Sequence, residues 1–550
     1  MKRFKQLSKL LLVAALVFTG CEGQEQDLID DRIASNPLPG EPNVNYTAGD
    51  ADFSNYVAIG NSLTAGYMDA ALYNAGQENS LAALMNAQFE VVGGTENFNQ
   101  PDINSVNGFN TAVANPNSQV GILGRFKLDT SIPGPSPVVG GDAIAPYSGA
   151  TNELNNFGVP GIQVGQLLTA AAGGPNSDMN PAYSPFYARF ASNPSPDGSN
   201  GSTILGDAIS AGPTFFSLWI GNNDVLGFAV SGATNDAIFT STADYQTRFG
   251  AVVNTLMSVP NLKGVVIDIP PILAIPYFRA VTFDNVTLDA ATAGALNQAF
   301  AGFNAALDGI VANLGHNAQD AAMRKVEYAA GANPILIVDD NLEDLGPKFD
   351  QLEGAGAISA AQRAALAPYE QARPMMGDIP QLGDELVLLS AGSVLGTLAD
   401  PNNPQSQIGV VVPLADQYTL TSDEIVEIET ARQTFNGIMQ QVVQGANASS
   451  TRIAFHSTNA ANGTFADLFG LSDGQLGIRV SGTNLAPDFS PNGVFSTDGI
   501  HPNQRGNALL VNDVLETVET TFGSTLPEVN VLNLPSVQVC AGDCVSQIGS

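Results

Sequence analysis

Histidine, cysteine and tryptophan are scarce in this chain: 550 residues contain three, three and one of them. Three histidines leave a narrow choice of base for any proton-transfer chemistry. Cys540 and Cys544 have no further ligands nearby in sequence, so a metal site there is not expected, and a small disulfide loop is. Cations are also few, 20 against 53 acidic side chains, for a net charge of −33. That imbalance argues against nucleic acid and against electrostatic docking on anionic lipid. Beyond the first twenty residues no apolar run is long enough to span a bilayer. No repeat recurs at a fixed period. The hydrophobic fraction, 44%, is that of a folded chain rather than a disordered one.

The amino terminus stands apart. Lys2, Arg3, Lys5 and Lys9 precede an apolar run from Leu10 to Phe18, and Thr19-Gly20-Cys21 follows. A short apolar run behind a basic start reads as an export signal. Small residues before Cys21 resemble the lipobox of bacterial lipoproteins, although Phe18 stands where leucine is usual. The resemblance implies removal of residues 1–20, acylation of Cys21, and a lipid anchor in the bacterial envelope, with the outer membrane the expected site. The alternative is an ordinary secretory signal with a nearby cleavage site.

Residues 21–50 are polar and proline-bearing without periodicity, as in a flexible tether. From there the chain alternates strand and helix. Tyr56–Gly60, Thr214–Ile220, Gly264–Ile269, Pro334–Val338 and Arg452–Phe455 read as buried strands. Asp244–Val259 places Tyr245, Phe249, Val252, Val253 and Leu256 on one helical face. Leu296, Phe300, Phe303, Leu307 and Ile310 mark a second helix, and Thr421-Ser422-Asp423-Glu424 is a capping-box start. The alternation predicts an α/β fold, a three-layer sandwich around a mostly parallel sheet, over residues 51–525. Two stretches interrupt it. Residues 78–150, rich in Asn, Gly and Pro, and residues 341–420 are expected as insertions, the second as a cap over the site. The Asp197-Gly198-Ser199-Asn200-Gly201 run is expected as a plain turn rather than an ion site, and residues 526–550 as a tail without clear role.

Chemistry centres on Gly60-Asn61-Ser62-Leu63. Ser62 follows a short buried strand, where a hydroxyl projects from the sheet edge, although a serine there can equally cap a helix. A serine oxygen needs a base to become nucleophilic. His316 follows a helix, with no acidic neighbour apparent nearby, and His456 ends a strand, as a packed histidine would. His501 differs, because Asp498 lies three residues before it, close enough to hold one ring nitrogen. The same spacing would also serve a helix-entry loop.

Four stretches occur in order: Gly60-Asn61-Ser62-Leu63, the turn ending in Gly161, Gly221-Asn222-Asn223-Asp224 and Asp498-Gly499-Ile500-His501. Together they resemble the four sequence blocks of the SGNH hydrolases, the GDSL-like esterases and lipases. The resemblance implies the flavodoxin-like fold of that family, Ser62 as nucleophile, His501 as general base and Asp498 as its orienting carboxylate. It also implies Ser62, Gly161 and Asn223 as oxyanion-hole donors, with no cofactor or metal. The expected substrate is a carboxylic ester of a lipid or an acylated carbohydrate. Asn61 replaces the aspartate of the name motif, and the gaps between blocks exceed those of small members. A polysaccharide acetyl esterase of the same fold, or a surface-binding lipoprotein without turnover, remain the alternatives.

Overall fold

The computed structural model describes residues 44–113, 120–132, 134–380, 382–458, 465–470 and 477–547. The expected signal segment, Cys21 and most of the tether lie outside these residues. The polypeptide divides at residue 47, and the account below concerns the larger unit from Ala48 onward. Among the described residues, no helix is long and apolar enough to cross a membrane.

A five-stranded, all-parallel sheet forms the centre. Its strands are β1 (Tyr56–Gly60), β4 (Asn156–Gly158), β5 (Phe215–Trp219), β6 (Lys263–Ile267) and β9 (Ile453–His456), in the order β9-β6-β5-β1-β4. The middle strands β1 and β5 are buried along their whole length. Their unbroken apolar runs suit a parallel sheet covered on both sides. Between β1 and β4 lie α1 (Ser62–Ala65), α2 (Leu81–Glu90) and the antiparallel hairpin of β2 (Leu123–Asp129) and β3 (Gly134–Val139). After β5 come α3 (Asn223–Val230) and α4 (Thr242–Met257), whose buried face is Tyr245, Phe249, Val252, Val253 and Leu256 as its periodicity predicts. The Ser241 hydroxyl caps α4, and a Thr421–Glu424 capping box starts α6 (Ser422–Ala446), which packs on α4 and β9. Asn503 caps α7 (Gln504–Phe522), which packs on α2 and β9. The arrangement is compatible with a three-layer sandwich.

The insertions have other limits than the sequence pattern indicates. Within 78–150, α2 is no surface excursion: Leu81, Leu84, Met85 and Phe89 are buried in the main core, and Phe89 stacks on Phe53. The ten helical residues were hidden by the Asn- and Gly-rich sequence beside them. The second insertion is larger than 341–420. A separate hydrophobic core runs from Val286 to Leu414 and is built on α5 (Ala290–Leu314). It also contains the antiparallel pair β7 (Leu336–Val338) and β8 (Ala372–Pro374). The helix of Phe300, Phe303, Leu307 and Ile310 and the strand at 336–338 therefore form, but outside the parallel sheet.

The tail has a place as well. Gln538 and Cys540 exchange backbone hydrogen bonds with Leu128 of β2, Val139 of β3 donates to Asp543, and Lys127 pairs with Asp543 at 2.6 Å. The expected Cys540–Cys544 disulfide is present and closes this end against the hairpin. At 197–201 the Asp197 carboxylate accepts from the Ser199 N–H and hydroxyl, which is the plain turn expected.

Candidate active site

Ser62 opens α1 directly after β1 because Gly60 permits a tight exit. A Cβ at Gly60 would collide with Thr64 Oγ1 and with the Trp219 carbonyl of β5. Asn61 caps the short helix, its Oδ1 accepting from the Leu63 N–H at 3.1 Å. That cap needs only a side-chain oxygen, which asparagine supplies as well as aspartate.

Asp498 and His501 arrive on the loop before α7, 436 and 439 residues beyond Ser62 in sequence. His501 Nε2 lies 2.9 Å from Ser62 Oγ, and His501 Nδ1 lies 2.9 Å from Asp498 Oδ2. Asp498 is buried and strongly held. It accepts from the backbone N–H of Ile500 and His501, both at 2.9 Å, from the Ser496 hydroxyl at 2.8 Å, and from the Ala70 N–H at 3.0 Å. Burial alone would raise its pKa, but the facing His501 and these donors hold the carboxyl down at about 2. Gly499 makes the bend with φ of +72°, which a glycine adopts without cost. The Tyr67 ring flanks the His501 imidazole at 5.1 Å between centroids, and its hydroxyl bonds Thr111.

A second carboxylate, which the sequence reading did not single out, supports this loop. Asp69 accepts from the Thr497 N–H at 2.9 Å and hydroxyl at 2.7 Å, and from the Tyr73 hydroxyl at 2.7 Å. Its own N–H donates to Ser496 Oγ. Asp69 and Ala70 both have positive φ, 54° and 60°, in a turn closed by the Met68–Ala71 bridge. Two consecutive non-glycine residues in that region carry strain. The turn is what aims the Ala70 N–H at Asp498. Burial pushes the Asp69 carboxyl above the usual carboxylate range.

The expected donors converge in part. Asn223 opens α3 beside β5, and its Nδ2 donates to the Ile162 carbonyl at 2.9 Å. One amide hydrogen is thereby fixed, and the second is left for another acceptor. Ser62, His501 and Asn223 line one cavity, together with Leu226, Ile272 and Ile275, with Trp219 against it. Gly161 is not part of that wall. It sits on the exposed turn after β4, three residues past Gly158, which pairs with Gly60. Its φ is +80°, and neither its N–H nor that of Ser62 bonds another described residue.

Asp224 links the two donor segments. Its Oδ2 accepts from the Val164 N–H at 2.9 Å and its Oδ1 from the Thr240 hydroxyl at 2.7 Å, with burial raising its pKa to about 6. The Asp follows Asn223 in the quoted block, and its apolar neighbours Val225 and Leu226 were the available signal of burial.

The other histidines are held elsewhere. His456 is buried at the end of β9, Nδ1 against Thr517 at 2.8 Å, a packed histidine as its position implied. His316 does have an acidic partner, Asp320 four residues on, at 2.5 Å. His316 lies just before the helix at Ala318–Arg324, and the first turn of that helix brings Asp320 back to it. Among the described residues, one acidic group, Asp340, Asp416 and Glu424, clusters closely enough to hold a cation. It lies apart from the Ser62 cavity and carries no assigned role. Compared with family models, curated proteins and solved structures, the chain matched none.

Proposed function

We propose that the chain is a serine-dependent carboxylic ester hydrolase of the SGNH type. The observation that carries this reading is the relay of two 2.9 Å contacts, Ser62 Oγ to His501 Nε2 and His501 Nδ1 to Asp498. A helix cap or a solvated loop would require neither contact.

In this reading His501 takes the Ser62 proton as Oγ attacks the ester carbonyl carbon. The tetrahedral oxygen collects charge where the Ser62 N–H and the free amide hydrogen of Asn223 can meet it; Gly161 serves as third donor only if its turn moves against the cavity. The new bond is Ser62 Oγ to the acyl carbon, and the bond that breaks joins that carbon to the alcohol oxygen. His501 returns its proton to the departing alcohol. Water then attacks the acyl-enzyme, its proton passing to His501 and on to Ser62, which releases the acid. Asp498 stays ionised throughout and steadies the imidazolium.

The low pKa of Asp498 suits that task, as does its full set of donors. Export with a lipid anchor at Cys21 belongs to the same proposal, resting on the sequence of residues 2–21. The test is hydrolysis of 4-nitrophenyl esters by wild type and Ser62→Ala. The substitution is expected to lower kcat by about 10⁴-fold or more. Undiminished hydrolysis in Ser62→Ala would overturn the assignment.

A further inference from the structure

Two cavities meet at His501, and they differ in size and in what chemistry they touch. The first, about 40 Å³, contains Ser62 and Asn223 and is lined by Trp219, Leu226, Ile272 and Ile275. The second, about 730 Å³, touches His501 and Asp498 but not Ser62 or Asn223. Tyr67, Phe126, Val230, Tyr277 and Leu389 line it, from the main sheet region, the β2–β3 hairpin, the residues leading into the second core and a segment within it.

Ester cleavage assigns the two. The carbonyl oxygen must face Asn223 and the Ser62 N–H, so the acyl group occupies the first cavity. The alcohol oxygen must face His501 Nε2 to receive its proton, so the alcohol extends into the second. Resting on the ester-hydrolase reading, we propose that the substrates are esters of short acids, two to four carbons long, with bulky apolar alcohols.

Size fixes the acid. A volume of 40 Å³ accommodates about three water-sized groups. Trp219 cannot withdraw, because it is fully buried on β5 with Nε1 donating to the Asp268 carbonyl at 3.0 Å. Polarity fixes the alcohol. The second cavity has the volume typical of sites for drug-sized ligands, and four of its wall hydroxyls already have protein partners. Thr497 donates to Asp69 at 2.7 Å, Tyr67 and Thr111 bond each other, and Ser393 donates to the Ser390 carbonyl at 2.8 Å. A polyol entering there would find few free donors and a largely apolar wall, so part of its hydrogen bonding would be lost, which costs more than burying an apolar surface does.

The experiment has two arms on the full chain, after Ser62 is shown to react with a small phosphonofluoridate. In the first, kcat/KM is measured for 4-nitrophenyl acetate, butyrate, octanoate and palmitate. A fall of at least about tenfold from butyrate to octanoate is expected. Ile275→Ala, or Leu226→Ala should the former not fold, is expected to raise the octanoate-to-butyrate ratio by about tenfold. In the second arm, 2-(1-naphthyl)ethyl butyrate is compared with ethyl butyrate, whose alcohols have similar leaving ability. The naphthyl ester is expected to be favoured by about tenfold or more, and Phe126→Ala to reduce that preference without changing the acyl profile. Octanoate preferred by wild type, Phe126→Ala shifting the acyl profile, or an acetylated oligosaccharide outperforming the naphthyl ester would each overturn the proposal. A Ser62 that the phosphonofluoridate does not label would instead remove the hydrolase reading itself.

Discussion

The two hydrophobic cores hold most of their buried carboxylates in different ways, the exception being Asp69 in the main one, which has Arg125 at 3.8 Å. In the second core each deeply buried carboxylate meets a cation. Arg373 is almost fully buried and binds Asp339 at 2.7 Å and Glu385 at 2.7 Å, and Arg324 binds Asp320 at 2.8 Å. Although burial opposes its charge, these carboxylates raise the Arg373 pKa above its ordinary value. In the main core, Asp224 and Asp498 are held by N–H and hydroxyl donors rather than by lysine or arginine. Asp268 is held in the same way by Ser457 and Thr458. A carboxylate neutralised by arginine is a structural strut. One satisfied by neutral dipoles keeps its negative field, and Asp498 directs that field at His501.

That contrast separates substitutions that stop chemistry from those that stop folding. The largest effect expected is on Asp498→Asn, which preserves the shape but not the charge. It should lower kcat by about 10⁴-fold while the circular dichroism stays near wild type and the melting midpoint falls only modestly, one accepting oxygen having become a donor. A loss below tenfold would mean that the Asp498 field is not what organises His501. In the second core, Arg373→Ala strands two buried carboxylates and should cost about 3–5 kcal/mol of stability, read by denaturant unfolding. The folded fraction should still react at Ser62 at the wild-type rate. Asn223→Ala, which removes a single donor, should lower kcat by about 10²–10³-fold with little change in stability.

The smallest effect concerns the boundary between the regions. Burial, then Glu424 and Asp340, raise the Asp416 pKa to about 7. Because the folded value lies above the unfolded one, the native state binds the proton more tightly. The associated stability is complete below about pH 4 and is lost as pH rises through about 7. Lowering pH from 8 to 5 should therefore add an Asp416 contribution to stability, of no more than about 1 kcal/mol because Asp416 is partly exposed. Asp416→Asn should flatten that part of the pH–stability profile, measured by thermal melting.

The sequence made some of this legible and hid the rest for identifiable reasons. Continuous apolar runs located β1, β5, β6 and β9, and the i, i+3 spacing of Asp498 and His501 located their contact, because both signals are local. The ownership of α5 was not local. Phe300, Phe303, Leu307 and Ile310 describe an apolar face equally well whether a parallel sheet or a separate core covers it. The Asp69–Ala70 turn left no mark either, since neither residue is one that favours positive φ strongly enough to be read as a signal. Contacts between Asp69 and Thr497 span 428 residues, and no spacing rule reaches that far. Gly161 could be placed at the sheet edge by its motif, but not in or out of the cavity wall.

The second core is spliced into the connection between β6 and α6, on the way to β9, the strand that neighbours β6 in the sheet. A segment with its own hydrophobic cluster can accumulate sequence change while the parallel sheet keeps its register. Tyr277, before its entry, and Leu389, within it, reach the larger cavity beside His501, whereas Ser62, Asn223 and Asp498 belong to the sheet and its loops. A substitution in that segment can therefore reshape the larger cavity without touching the contacts among Ser62, His501 and Asp498.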